Sequence, residues 1–416
     1  MKTIIILLFL FVETVYSQTP WIESNIGTAK LTSINFINAQ TGFAFSWSSN
    51  LYKTADGGET WQAYETPSWA ASGYFLDDQT GILIGHYPFM TNDGAETWEY
   101  GGGINPVPGS TFATIIMRKG LILNKDTAFV CGNEFGQYGF PPQFYVTGKI
   151  YRTTNAGKMW ELVYLGGVDF TDIKIDPDNK IYAIRTGLIT SSNYGANWDY
   201  ITAIGTFAPS ISQIFGDTMY VSGSSGRIGK SFNGGYNWTL CQTQAGDTLN
   251  NVFFIDNKTG WVCGDSGYIL HTSNAGTDWV KQETGTTKDI KSIYFINQDT
   301  GFAVGDSGLF LKTYTGGTVK VMNISTVVPE QYILYQNYPN PFNPSTVIKF
   351  SLPENTHVNL TVYDQLGRIV ESLVDSDLTT GTYQFIFNAN NLSSGLYYYR
   401  LSTVNYNQAK KMVILR

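Results

Sequence analysis

The sequence predicts an all-β protein: a seven-bladed β-propeller closed by its own N-terminal strand, then a small Ig-like β-sandwich. Three observations predict it. A short element ending in Trp recurs roughly every 40 residues from Trp61 to Trp279. No stretch of 10 or more residues carries helical periodicity. The 416 residues are only 14% charged but 15% aromatic, where an ordinary globular chain is about 25% charged. Few charges, many aromatics and 43 Gly suit sheet cut by many turns.

The chain opens on Met1-Lys2-Thr3 and nine apolar residues, Ile4 to Val12. That run is too short for a membrane span, which needs about 20 residues. A Lys, a short apolar core and then Val15-Tyr16-Ser17 read as a secretory signal peptide, residues 1–17, cut between Ser17 and Gln18. No other run approaches membrane length, so the mature chain is expected to lack a transmembrane segment.

The propeller is expected over residues 18–317. Thr54-Ala55-Asp56-Gly57-Gly58-Glu59-Thr60-Trp61 recurs as Thr91 to Trp98 around Asp93. Further copies carry Asn155 with Trp160, Asn193 with Trp198, Asn233 with Trp238 and Asn274 with Trp279. The Trp spacings are 37, 62, 38, 40 and 41. A seventh copy, Lys312 to Gly317, lacks its Trp, and Trp21-Ile22-Glu23-Ser24 supplies the matching strand from the N-terminus. Each unit reads as four short strands, A to D. Closing the ring with the first strand removes an open sheet edge. The Asp or Asn side chain accepts backbone N–H groups and holds the C–D turn. Gly57 and its equivalents supply positive φ, Gly58 belongs to the same turn, and the Trp that starts strand D packs between neighbouring blades.

Two resemblances follow from these residues. The Thr-x-Asp-x-Gly-x-Thr-Trp element resembles the Asp-box, or bacterial neuraminidase repeat. The whole unit, with Thr300 to Thr313 as its clearest copy, resembles propellers of the photosystem II stability and assembly factor family. The second implies a fold over about Trp21 to Lys320, and not a role in photosynthesis.

The 62-residue gap contains one enlarged blade. Counted against unit six, 13 of its extra residues fall in the B–C loop of blade three, within Gly132 to Tyr145. A smaller excess lies in the preceding connection, Gly101 to Pro106. Both insertions emerge on one face, opposite the Asp-box turns. Phe135, Tyr138, Phe140, Phe144 and Tyr145 are the candidate recognition surface for a glycan or protein. The alternative is that these rings fold back to plug the channel or cover blade three.

Catalysis is not expected. Gly264-Asp265-Ser266-Gly267 and Gly305-Asp306-Ser307-Gly308 mimic a serine-protease string. They occupy one repeat position as a tight turn, and only His86, His271 and His357 could serve as bases. A sialidase needs three convergent Arg and paired acids; the propeller has only Arg118, Arg152, Arg185 and Arg227. Cys131, Cys241 and Cys263 make neither a disulfide framework nor a metal cluster. No cofactor and no metal are predicted. A net charge of -7 disfavours nucleic acid as a partner. The expected form is a monomer.

Residues 318–331 read as a linker, and residues 332–416 as the sandwich. Tyr335-Gln336-Asn337-Tyr338-Pro339-Asn340-Pro341-Phe342-Asn343-Pro344 opens this module. Val362-Tyr363-Asp364 with Gly367, the run Leu392 to Leu401 around Gly395, and a final Lys410-Lys411-Met412-Val413-Ile414-Leu415-Arg416 follow. These motifs closely resemble the type A C-terminal sorting domain of the type IX secretion system of Bacteroidota. The resemblance implies passage through the periplasm and across the outer membrane. It makes that secretion machinery a partner, with the passenger secreted or held at the cell surface. The sequence thus predicts an exported binding or adhesion module. The other classes left open are a secreted glycoside hydrolase and a purely structural surface component.

Overall fold

The computed structural model describes residues 20–415 apart from 109, 111, 167–169, 185–186, 205–209, 212–213, 244, 318–321, 326–327, 344 and 390–391. The signal-peptide positions Ser17 and Gln18 and the final Arg416 lie outside the described residues. The chain divides into two compact units, 20–317 and 318–416.

The first unit is a β-propeller. Among the described residues it holds seven antiparallel sheets, six of four strands and one of three. Blade one is Leu31–Phe36, Gly42–Ser46, Asn50–Thr54 and Gln62–Glu65, paired in chain order. In blade two a single bridge, Met90 to Glu99, stands where the fourth strand would run. In the last sheet the N-terminal strand Ile22–Asn25 lies antiparallel to Leu309–Thr313, with Ile22 opposite Lys312. The innermost strands touch in succession around the unit, and Leu31–Phe36 packs back on Ile290–Phe295.

Repetition of the sequence becomes repetition of packing. An aromatic on strand B stacks on an aromatic ending strand A of the next blade. Phe43 on Phe75, Tyr220 on Phe254, Trp261 on Phe295 and Phe302 on Phe36 all stack at 3.5–3.9 Å between ring centroids. Each inter-sheet cluster also takes the Trp of the repeat slot: Trp61, Trp98, Trp160, Trp198, Trp238, Trp279 and, at the seam, Trp21, which is joined there by Trp261. Trp21 Nε1 donates to Gln282 Oε1 at 2.9 Å, so the seam is tied by a buried polar bond as well as by packing. Polar side chains on strand A stitch neighbouring inner strands. Asn35 holds Phe75 by both its amide groups, Asp172 accepts from the Ile211 N–H, and Asn251 accepts from the Ile293 N–H.

The second unit is a two-sheet sandwich. One sheet runs Met322–Ser325, Gly381–Asn388, Ser345–Leu352, Ile333–Leu334; the other runs Ile369–Leu378, Thr356–Tyr363, Gly395–Ser402, Asn407–Ile414. Alternate residues of both sheets, among them Phe350, Leu360, Val362, Tyr399 and Met412, fill the core. The expected linker is corrected in part, because Met322–Ser325 pairs with Gly381–Asn388. Its β-branched composition suits an edge strand as well as a linker. No helix among the described residues is long and apolar enough to cross a membrane.

Candidate functional site

The insertion of blade three is ordered sheet, which corrects the expected loop. Strand A runs Phe112–Ile122, strand B Ala128–Tyr138 and strand C Gln143–Thr153, each 11 residues long. Among the described residues strand D, Glu161–Gly166, pairs with the lower part of strand C, up to Gly148. Above that level strands A, B and C form a three-stranded ribbon that ends in the turn 139–142. The physical reason is the alternation of aromatic and small or polar residues on both arms. That alternation lets Phe135 face Val146, Gly136 face Tyr145 and Gln137 face Phe144 in one continuous register.

That register sorts the five candidate rings. Successive side chains of a strand alternate between faces. Phe135 and Phe144 share one face and stack at 6.2 Å. Val146 and Phe112 join them there through the pairs Phe135–Val146 and Gln137–Phe112. All four are exposed, with Phe144 at 69%. Tyr138 and Tyr145 lie on the other face, 5.9 Å apart. Phe140 sits in the turn at 98% exposure. Exposure of this order rules out the alternative in which Phe140 and Phe144 fold back into the channel. Phe112 and Val146 escaped the sequence reading, although each completes the period-2 pattern of its strand.

The ribbon is anchored by a buried polar base. Glu134 and Lys149, both about fully buried, form an ion pair at 2.5 Å. Glu134 also accepts from the Val107 N–H at 2.9 Å and from the Tyr145 hydroxyl. Lys149 Nζ donates to the Asn105 carbonyl at 2.8 Å and to the Tyr151 hydroxyl at 3.2 Å. Burial pushes the Glu134 carboxyl upward, but the bonds from Lys149, Tyr145 and Val107 outweigh it and hold the group below its ordinary value. Burial and the Glu134 charge raise Tyr145. The two insertions are thereby locked together, since Asn105 and Val107 belong to the connection before strand A.

A second group of rings lies on the same face, at the B–C turns and D–A connections of blades one and two. Trp47 and Trp69 approach at 4.1 Å, and His86 meets Trp69 edge-on at 4.9 Å. Tyr87 stacks on Tyr100 at 4.9 Å. Trp47 is 52% exposed. Backbone bonds set these turns: Trp47 N–H to the Lys30 carbonyl and Ala70 N–H to the Ser46 carbonyl. A signal for this cluster existed in the sequence, because Trp47 and Trp69 fall outside the Trp slot of the repeat.

The Asp-box residues sit in the C–D turns on the opposite face. Asp56 Oδ1 takes the Thr54 hydroxyl and the Glu59 and Thr60 N–H groups, while Oδ2 takes the Thr60 hydroxyl. Slight burial pushes this carboxyl up, but the Thr60 and Thr54 bonds prevail and bring it down to about 2. Asp93 repeats the pattern with Thr91 and Thr97. Asn155, Asn193, Asn233 and Asn274 each accept one N–H four residues on through Oδ1, at 2.9–3.0 Å. Gly58 has φ +87, and an added Cβ would lie 3.0 Å from the Phe310 ring. These oxygens are occupied in holding turns.

The remaining candidates are structural in their contacts. Ser266 and Ser307 occupy left-handed turns, and Ser266 Oγ donates to Asp247 rather than to a histidine. Cys131, Cys241 and Cys263 form no disulfide among the described residues. Among the described residues no group of three or more His, Cys, Asp or Glu could hold a metal.

In the sandwich, Gly367 takes φ +77 in a turn that Asp364 caps through the Leu366 and Arg368 N–H groups. Gly395 opens the strand that pairs with the last one, Asn407–Ile414. Lys410 and Lys411 lie on that last strand, and the opening motif grips it. Gln336 donates to the Lys411 carbonyl, Asn340 accepts the Val413 N–H, and Phe342 bonds Val413 and Leu415.

Residues 336–415 match the family "Secretion system C-terminal sorting domain". Residues 230–315 match "Photosynthesis system II assembly factor YCF48". No curated protein matches the chain. Among solved structures, "YCF48 bound to D1 peptide" is similar at 19% identity and TM-score 0.56, covering 72% of this chain and 98% of that one. "YCF48 from Cyanidioschyzon merolae" gives 18%, 0.54, 71% and 98%. The WD40 β-propeller domain of Doa1 gives 10%, 0.51, 71% and 96%. The chain therefore carries a propeller of YCF48-like repeats and a type IX sorting domain, and it is secreted or attached at the cell surface.

Proposed function

We propose that this protein is an exported binding module, and not an enzyme, whose propeller recognises a protein or glycan ligand through the ribbon of blade three. The sorting domain engages the type IX secretion machinery and delivers the propeller. One observation carries the proposal: Phe112, Phe135, Phe144 and Val146 form a contiguous exposed apolar stripe on ordered sheet with a buried polar foundation. Rings held in solvent on a rigid element are a marker of an interaction site. The peptide complex of a similar propeller supports a protein ligand. Trp47, Trp69 and His86 favour a second reading, a saccharide stacked on the Trp47 ring, on the same face.

Replacing Phe135 and Phe144 with Ser in the full chain tests the proposal on paired peptide and glycan arrays. Loss of array binding with an unchanged melt is expected. Unchanged binding contradicts it. Turnover of an arrayed glycan, lost on carboxylate substitution, establishes a hydrolase instead. No binding by the unaltered chain points to a structural component.

A further inference from the structure

We infer that Trp47 is the platform of a second binding site, which stacks one pyranose ring of a neutral glycan. The inference rests on the saccharide reading given above and makes it a site separate from the ribbon, with its own residues.

The slot that Trp47 fills recurs around the ring. Across strands A and B, Leu31 faces Ser46, Leu249 faces Gly264 and Ile290 faces Gly305. The next residues, Trp47, Asp265 and Asp306, therefore share one position at the start of the B–C turn. Each gives its N–H to the carbonyl just before strand A: Lys30 at 2.8 Å, Thr248 at 2.9 Å and Asp289 at 3.0 Å. The backbone is held alike in all three blades, so the turn does not dictate the side chain. In blades six and seven the side chain is an aspartate engaged with its neighbours, Asp265 with Asn250 and Lys291, and Asp306 with Lys30 at 3.7 Å. In blade one it is an indole, 52% exposed. Asn251 faces Cys263 and Ser72 faces Ile84, which puts His86 of blade two at the same position. An exposed ring adds little to a turn that aspartate also serves.

The platform is held rigid from behind. Trp69 backs the Trp47 ring at 4.1 Å, with the two planes tilted by 32°. His86 meets Trp69 edge-on at 4.9 Å. Trp69 is carried there by a connection tied to the Trp47 turn: Ala70 N–H bonds the Ser46 carbonyl and Thr66 N–H bonds the Ser49 carbonyl, both at 3.0 Å. Gly85 permits the close approach of blade two, because a Cβ there would lie 2.3 Å from the Trp69 carbonyl oxygen. A ring already backed and oriented loses less freedom when a ligand binds.

The surroundings state what would fit. One indole offers a flat apolar face about the width of a single sugar ring. A pyranose matches it with an apolar C–H face and carries its hydroxyls at the rim. Small polar side chains flank the two indoles, Ser48 and exposed Ser49 after Trp47 and Ser68 before Trp69. The Lys30 charge next to the turn is answered by Asp306, so an anionic sugar gains no counter-charge there. A nucleobase would also stack, but its phosphates would meet a chain of net charge -7.

The test titrates the full chain by calorimetry with neutral hexasaccharides of glucose, mannose and galactose. Saturable binding of at least one is expected, unchanged by added salt. Trp47→Asp installs the residue that serves this slot in blades six and seven. It should keep the melt and weaken binding about tenfold or more, the scale of one lost stacking ring. Trp47→Ser repeats the comparison if the aspartate disturbs the melt. Trp47→Phe keeps a ring and should bind within about threefold of the original. Phe135→Ser with Phe144→Ser should leave sugar binding unchanged. No saturable binding of any hexasaccharide, binding that falls steeply with salt, or full binding without the Trp47 ring overturns the inference. Loss of sugar binding in the ribbon variant moves the sugar to the ribbon and also overturns it. Peptide capture, read on the same variants, judges the ribbon separately.

Discussion

Blades three and six start from the same unit and end differently. In blade six, strands B and C join through the three-residue turn Asp265–Gly267. Its polar groups tie it to its own blade and the next: Asn250 donates to Asp265, and Lys291 on the following blade bridges Asp265 at 2.7 Å and Asp289 at 2.9 Å. In blade three the same junction rises into a ribbon, and the ion pair has moved inward to Glu134 and Lys149. The repeat can thus be lengthened at one corner without disturbing the clusters between blades, provided the base of the extension is satisfied. Blade six shows what a scaffold spends on closing a turn; blade three shows what it adds when a surface is built.

The largest effect that sharpens this contrast should come from the shared scaffold. Trp160 is buried between blades two and three. Trp160→Ala should cost about 3–5 kcal/mol, read by chemical denaturation, and should fall on the whole propeller. Glu134→Ala should cost about 3 kcal/mol, because it leaves Lys149 buried and unpaired. Hydrogen exchange should place that loss in the ribbon and in 101–110, with blade six unchanged. A loss spread evenly over the ring would break the idea of a separable extension.

A smaller effect separates the Asp-boxes from the Asn-boxes. The Asp56 carboxyl titrates near 2 in the folded chain against 3.8 ordinarily. A depressed carboxyl contributes stability that is present above the ordinary value and lost as pH falls through the folded one. Between about pH 4 and pH 2 the turn holding Asp56 should therefore loosen. The turn of Asp93, whose carboxyl is raised by slight burial but held below its ordinary value by Thr97 and Thr91, should weaken in the same direction as pH falls, while those holding Asn155, Asn193, Asn233 and Asn274 do not. Exchange measured over that range checks the difference blade by blade. The smallest effect should be Phe140→Ser, within about 0.5 kcal/mol, since an exposed ring away from packing contributes little to stability.

The scaffold was legible because its signals repeat. Seven copies of one Trp slot, including Trp21 at the far end, expose period and closure together. The sandwich was legible from motifs such as Tyr338-Pro339 and Gly367, which mark strand ends and turns. The ribbon was half legible. Its aromatics stood out against the repeat, but their division into two faces depends on register, and register comes from pairing Phe135 with Val146 across the turn. The base was invisible for a different reason. Glu134 and Lys149 are far from Asn105 and Val107 in sequence, and a lone Glu beside Asn133 carries no mark of burial. Trp47 and Trp69 could have been found by subtracting the repeat from the Trp count.

The most direct test of the division between scaffold and surface is a pairing of melts with array binding on the full chain carrying Phe135→Ser and Phe144→Ser. The account predicts a melting temperature within about 2 °C of the original, as for surface substitutions that change stability little, together with loss of ligand capture. Capture that persists undiminished, or a melt that collapses with the ribbon, would contradict it.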